Sequence, residues 1–456
     1  MMPLMGSPCW RNFLGCALLF LAGCDALRPV AAKDADRIVE AAVFEGGYGI
    51  HWHQKMAAEY NATAAPPGVH INLWGDPRVS EKIKPRLLRG DPPEMFLLAD
   101  LPVWLLVAAD KLATFDAALD QPAPGGTGTW RDCFIPGTLD QYTADGHVYG
   151  VPSAFGAWAC WYDAKLFREH GWTPPATWSE FESLCAEIQA AGIAPLAFQG
   201  KYPIYAWWTF IPMVQRCGGL AAVNRINALE PGAFSHPDVV HAATLLQRMS
   251  TQYFEKGALA MTHTESQLQF VNNKAAMIFC GLWLYNEMKQ NTPPDFEMRC
   301  FNLPAVEGGK GNPRLFSGSG WEYIFVPSDA RHTEDIFDFV RFLVSPKNAP
   351  DMGRSIGVIS PLRGGTPRDA VAPPLQSALD LIEASEGIFS IRVDTLMLGW
   401  REQVMQPAMA SLLRGEIAPA EFCRLLDEGV ASTLKDPNLV VPAPVLKDPT
   451  AFGEPA

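Results

Sequence analysis

Between Arg37 and Ala99 three apolar stretches alternate with two helix-patterned ones, and no other feature restricts the fold as much. Arg37 to Glu45, Val69 to Trp74 and Glu94 to Ala99 read as strands, while Ile50 to Asn61 and Pro77 to Arg89 read as helices. Pro66-Pro67-Gly68 and Gly90-Asp91-Pro92-Pro93 punctuate them. A β-α-β-α-β order requires crossover connections, which give a mainly parallel sheet with helices on both faces. The chain is therefore expected to be α/β. Its 456 residues exceed what one core serves well, so two domains are expected. A hydrophobic content of 48% with 19% charged residues suits a globular chain rather than a disordered one. The formal net charge of −13, without a long basic run, argues against nucleic acid or an anionic membrane surface as a partner.

Glu45-Gly46-Gly47-Tyr48-Gly49 is a glycine-rich turn between a strand and a helix. It lacks the Gly-Lys-Ser/Thr of a phosphate loop and the spaced glycines of a dinucleotide turn, so no nucleotide cofactor is expected. A loop at the carboxyl end of a strand is nevertheless where open α/β sheets bind ligands. Beyond the N-terminal region the cysteines are Cys133, Cys160, Cys185, Cys217, Cys280, Cys300 and Cys423. Seven cannot all pair, and no CxxC or Cys/His cluster has zinc spacing, so no metal is expected and one or two disulfides remain open.

The N-terminus reads as an export signal. Arg11 precedes an apolar run from Phe13 to Ala22 that is too short to span a bilayer. The run ends Leu21-Ala22-Gly23-Cys24, which resembles the lipobox of bacterial lipoproteins. On that reading residues 1–24 form the signal, Cys24 is diacylated and holds the chain at a membrane face, and residues 25–36 are a tether. Asp25 resembles the inner-membrane retention signal of Gram-negative lipoproteins. The expected location is the cell envelope, at the periplasmic face of the inner membrane or the outer face of a Gram-positive plasma membrane.

The centre of the chain carries the most specific pattern. Asp145-Gly146 is a hairpin turn, His147 to Val151 reads as a strand that Pro152 ends, and Gly156 to Tyr162 reads as another. Thr177 with Glu180 fits a capping box, so a helix is expected from about Trp178, with Phe181, Leu184, Cys185 and Ile188 inward and Gly192 at its end. Three further blocks follow in order: Lys274-Ala275-Ala276-Met277 running to Gly281-Leu282-Trp283, Ser317 to Val326, and Gly357 to Arg363. Together with Asp91-Pro92-Pro93-Glu94, these blocks resemble the extracellular solute-binding proteins of sugar-importing ABC transporters, the maltose-binding-like group. Phe44-Glu45-Gly46-Gly47-Tyr48-Gly49 and Trp74-Gly75-Asp76-Pro77-Arg78-Val79 are similar to the subgroup that binds N-acetylglucosamine and chitobiose.

The resemblance implies a two-lobed periplasmic-binding-protein fold of type II, the Venus-flytrap form, with discontinuous lobes. Residues 37–150 with 305–356 would form lobe 1 and 151–304 with 357–434 lobe 2, leaving 435–456 as an extended surface tail. Three hinge crossings are expected near Val151-Pro152, Leu303-Pro304 and Ile359 to Pro361. It further implies a monomeric binder of an amino sugar or oligosaccharide that serves the transmembrane subunits of an ABC permease, with no catalysis. Sugar C–H faces stack on indole rings and hydroxyls bond to carboxylates and guanidinium groups. The candidate platforms are Trp207, Trp283 and Trp321; the candidate hydroxyl partners are Glu45, Asp76, Asp100, Glu322 and Arg363; Tyr48 could serve either way. Asp100 could equally cap the helix that follows it, and Trp283 could instead hold its helix to the sheet. A carbohydrate-active enzyme such as a glycoside hydrolase, with paired carboxylates in an aromatic cleft, is the rival class. A scaffold lipoprotein without a small ligand is the third.

Overall fold

The computed structural model describes residues 37–455 apart from 47, 98–100 and 126. The signal, Cys24 and the tether lie outside the described residues, as does Asp100. The strands are β1 (Arg37–Phe44), β2 (Val69–Asp76), β3 (Met95–Leu97), β4 (Thr143–Ala144), β5 (His147–Val148), β6 (Val151–Asp163), β7 (Ala194–Ala197), β8 (Ala275–Gly281), β9 (Met298–Phe301), β10 (Leu315–Phe325) and β11 (Gly387–Phe389). β1 pairs in parallel with β2 and β3, with Phe44 opposite Asp76 and Val43 opposite Leu97, as the alternation of the first hundred residues requires. β4 and β5 form the hairpin that Asp145-Gly146 turns.

The main sheet runs in the order β2-β1-β3-β10-β6-β8-β7, with β11 on β10 and β9 on β6. β6 and β10 are its longest strands, and they are antiparallel to each other from Val151 opposite Ile324 to Ala157 opposite Gly318. β10 also pairs with β3, and the far half of β6 pairs with β8 and β9. These two strands therefore join the sheet built by the first hundred residues to the one built around β8. Pro152 does not end a strand here. It is the second residue of β6, opposite Tyr323, near the strand's start, where a missing N–H is tolerated. Apolar side chains bury as one cluster around β1 and β3, a second around β8, and a third, largest one that runs from the other face of β1 and β3, at Ala42 and Phe96, to the later helices.

The capping box at Thr177 and Glu180 is present, and the helix Trp178–Ala190 buries Phe181, Leu184, Cys185 and Ile188 as its spacing requires. Residues 303–313 pack on the helix Ile204–Asn227, where Leu303 O accepts from Arg216 and the Lys310 N–H donates to Cys217 O at 3.1 Å. β10, which follows them, pairs with β3 at one end and with β6 along its length. At the segment expected to form the third crossing, Phe155 N–H donates to Ile359 O and Ile135 N–H to Pro361 O. The end of the chain is extended, but it is bound rather than loose: Glu454 is 4% exposed. All seven cysteines are free thiols and six of them are buried. Among the described residues no helix is long and apolar enough to cross a membrane.

One buried group predicts acid sensitivity. His53, on the helix His51–Thr63, is 1% exposed and neither ring nitrogen has a hydrogen-bond partner. Burial lowers its pKa from 6.5 to about 4. A depressed base is neutral in the fold while the unfolded chain takes up a proton, so stability present above pH 6.5 is lost as pH falls toward 4. The loss amounts to about 3 kcal/mol across that window. Urea midpoints of the protein and of His53→Met are expected to diverge in favour of the variant between pH 6.5 and 4; parallel curves would refute this.

Candidate functional site

The site is built where β6 and β10 run side by side. Gly156, Ala157, Gly318 and Ser319 face one another across that pair and form a floor without bulk. Gly156 leaves room for Trp321, since a Cβ there would stand 3.1 Å from the indole. Trp158 rises from β6 opposite Gly281, the last residue of β8. Trp283 folds back over Gly281, and a Cβ at that glycine would fall 2.1 Å from the ring, so any side chain there would expel the indole. Trp208 comes from the helix Ile204–Asn227, one turn of which also presents Tyr205 and Thr209. Thr209 Oγ1 accepts the Trp158 indole N–H at 3.0 Å and donates to Tyr205 O, which fixes the Trp158 ring.

The four indoles enclose one another. Trp283 and Trp321 are stacked, with centroids 5.5 Å apart and planes 24° from parallel. Trp208 meets both edge-on, at 5.8 and 6.2 Å, and meets Trp158 at 5.5 Å. They border a space of about 620 Å³ that Gln141, Ser317, Ser319, Asp394 and Thr395 complete with polar atoms. A second space of about 1030 Å³ continues past Trp208 and Trp321 to Phe44, Glu322, Arg401 and Glu402. Trp208, Trp321, Gln141, Asp394 and Thr395 line both, so the two adjoin and are together called the cleft.

Carboxyl groups supply its polarity. Glu322 has a φ of 50°, a left-handed conformation that a non-glycine residue adopts at a cost of about 1 kcal/mol or more. Ser153 Oγ donates to its carbonyl at 2.9 Å and holds it there. Burial pushes the Glu322 carboxyl up to about 7. Burial likewise raises Asp394 to about 6, against the pull of Arg401 and the Trp207 indole beside it. The Tyr48 hydroxyl is raised by burial and then by the charges of Glu322 and Glu287. Glu287 is fixed by Gln267 Nε2 at 2.6 Å, and Arg401 donates to Glu402 at 2.9 Å. Among the described residues no group of three His, Cys, Asp or Glu could hold a metal ion.

Of the residues singled out in the sequence, Trp283, Trp321 and Glu322 meet in the cleft, while Tyr48 packs against the apolar cluster around β1 and β3. The others have different positions. Trp207 is fully buried against Phe210, Phe234 and Trp400, and its neighbour Trp208 takes the cleft face. Asp76 is committed to Lys82 and to the Arg78 N–H at the start of the helix Val79–Arg89. Glu45 is exposed beside it, with its N–H on Asp76 O at 3.3 Å. Arg363 is exposed and its guanidinium donates to Phe134 O at 3.1 Å, pinning a loop at the third crossing. Trp158, Trp208, Gln141, Asp394 and Thr395 were not anticipated. Trp158 had a signal, since an indole between small residues on a strand marks an open face; Asp394 and Thr395, on a helix of four residues, had none.

Residues 52–350 match the family described as bacterial extracellular solute-binding protein. The chain is similar to a diacetylchitobiose binding protein, NgcE, of Streptomyces coelicolor, with 24% identity over 360 residues that cover 77% of this chain and 75% of that one. It is also similar to a multiple sugar-binding protein of Streptococcus mutans, 23% identical over 62% of this chain and 65% of the relative. Among solved structures, a chitin oligosaccharide binding protein superposes with a TM-score of 0.71 at 20% identity, covering 87% of this chain and 99% of its own. The apo form of RafE from Streptococcus pneumoniae superposes with a TM-score of 0.70 at 16% identity, over 88% and 98%. These likenesses show the type II two-lobed fold.

Proposed function

Since the chain belongs to the bacterial extracellular solute-binding protein family, we propose that it captures an oligosaccharide between its lobes and delivers it to the permease of an ABC-type importer. The observation that carries this reading is the four-indole cleft with carboxyl, amide and hydroxyl groups around it. Flat apolar platforms suit sugar C–H faces, and Glu322, Asp394 and Gln141 suit hydroxyls. A chitooligosaccharide is the ligand to test first, because the relatives include proteins named for diacetylchitobiose and chitin oligosaccharides.

The proposal includes two lobes that close on the ligand, with β6 and β10 as the shared spine. Residues 37–150 with the end of β10 and the stretch to 356 make one lobe; 151–304 with 357–434 make the other, with 304–313 packed on it. Only tighter binding to the closed form can shift that balance. It also includes a monomeric, non-catalytic protein lipidated at Cys24 and held at the outer face of the cytoplasmic membrane. A micromolar affinity needs about −8 kcal/mol, which a few ring stacks and carboxylate hydrogen bonds supply after ordering costs.

The test is a melting-temperature panel on the purified protein with N-acetylglucosamine, diacetylchitobiose, maltose, xylobiose and raffinose. A saturable rise with one sugar, and no loss of that sugar on prolonged incubation, is expected. Turnover of the stabilising sugar would replace the binder with a hydrolase, and a flat panel would remove the sugar reading.

A further inference from the structure

Behind the cleft lies a second compartment that the sugar reading leaves unused. Arg392 follows β11 and directly precedes the short helix Val393–Leu396, which carries Asp394 and Thr395 into the cleft. Arg392 itself borders a small space with Asp140, Gln141, Asn224, Asn227 and Lys447. Its side chain is almost wholly enclosed, the residue being 6% exposed. Nη2 donates to Pro442 O at 2.5 Å, but Nε and Nη1 have no hydrogen-bond partner. No carboxylate of the described residues pairs with it, and burial is the sole cause that lowers its pKa, to about 10. A guanidinium carries five N–H donors, and a buried cation without a counter-charge is costly.

The walls around it are fixed. Asn224 exchanges hydrogen bonds with the backbone of Lys447, and Asn227 accepts the Arg392 N–H at 3.0 Å and donates to Ser390 O at 3.0 Å. Lys447 Nζ reaches Asp140 at 2.8 Å, so the one carboxylate in the lining is already paired and the lining keeps one positive charge. Gln141 and Ser390 line both this compartment and the aromatic cleft, so the two are adjacent.

We propose that Arg392, with Lys447 beside it, forms an oxyanion site that takes a carboxylate or phosphate group. The group is either an acidic substituent of the sugar held in the cleft or a free anion. A guanidinium fork accepts such a group through two parallel N–H···O bonds and satisfies the donors now left unpartnered. The substituent source rests on the sugar reading of the cleft; the free-anion source does not.

The experiment uses the protein in a buffer free of phosphate, sulfate and carboxylates. Cellobiouronic acid, its methyl ester, cellobiose and inorganic phosphate are titrated into wild type, Arg392→Met and Lys447→Gln, with calorimetry and melting temperature as readouts. Binding of the acid about tenfold or more tighter than its ester, with the preference abolished in Arg392→Met and reduced in Lys447→Gln, supports the site with the substituent source. Phosphate stabilising wild type but not Arg392→Met, with acid and ester bound equally, supports it with the free-anion source. If no anion has an effect, or if both variants respond as wild type does, the site is overturned. Should Arg392→Met fail to fold, the Lys447→Gln comparison decides on its own. Cellobiose or ester binding without any anion effect sinks this site while sparing the sugar reading. Phosphate binding lost in Arg392→Met, with every sugar inert, does the reverse.

Discussion

Trp283→Ala is expected to weaken sugar binding about 100-fold, close to 3 kcal/mol, measured by calorimetry with diacetylchitobiose. The indole is half-exposed, stacks on Trp321 and reaches Trp158 and Trp208, so its removal deletes one wall and loosens the ring opposite. Aromatic anchors of this kind carry most of the binding energy at a site while their neighbours exclude water. The contrast is Trp207→Phe. That ring is fully buried among Phe210, Phe234 and Trp400, so the substitution should lower the melting temperature and leave affinity within about twofold. Equal loss of affinity in both variants, or none in Trp283→Ala, would show that the indole cluster is packing rather than a binding surface.

Glu454→Ala is expected to destabilise the fold by about 3–5 kcal/mol in urea unfolding, although it lies two residues from the chain's end. The helix Ile204–Asn227 breaks at Gly219, where φ is 66°. The break leaves the Leu220 N–H without a helical acceptor, and the Glu454 carboxylate accepts it. The same carboxylate accepts from Gln215 Nε2 at 2.6 Å and from the Asn312 N–H at 2.7 Å. Beneath it lies Arg216, fully buried, its charge disfavoured by burial to a pKa of about 9 and supported by Glu454. Arg216 in turn donates to Leu303 O at 3.1 Å and to the carbonyls of Pro313 and Leu315, which tie the start of β10 to the helix. Removing the carboxylate strands the Leu220 and Asn312 N–H groups, takes one of two acceptors from Gln215 Nε2 and leaves a buried cation without its counter-charge. Glu454→Gln keeps an acceptor and should cost roughly half as much. A loss under about 1 kcal/mol in Glu454→Ala would mean that water replaces the carboxylate without penalty.

The contrast between these two regions shows what is legible in a chain of this kind. The parallel units of the first hundred residues and the capped helix at Trp178 follow from local periodicity and local hydrogen bonds, and both are present as read. Trp207 and Trp208 illustrate the limit. Successive helical residues point about 100° apart, so one of an adjacent pair must face inward, but only tertiary packing decides which. Pro152 was read as a strand end because proline lacks a donor; that N–H is not needed so near the start of β6. Asp76 had the expected chemistry for a hydroxyl partner and lost it to a lysine six residues away on the next helix. Asp394, Arg392 and Glu454 gain their character from burial, which depends on segments far apart in the chain. The fold was thus readable in its layers, and the cleft in about half of its residues.

The unpaired cysteines have a practical side. Six of the seven thiols are enclosed, and Cys133 alone is half-exposed. It lies on the loop that meets the third crossing, where its carbonyl accepts the Arg363 N–H at 2.7 Å and neighbouring Ile135 bonds to Pro361. A maleimide dye would therefore attach at one position among the described residues, beside the segment 359–363. Burial and Asp132 raise that thiol's pKa, so coupling calls for mildly alkaline buffer. Among the described residues, Cys133 thus offers one attachment point for a fluorescent reporter.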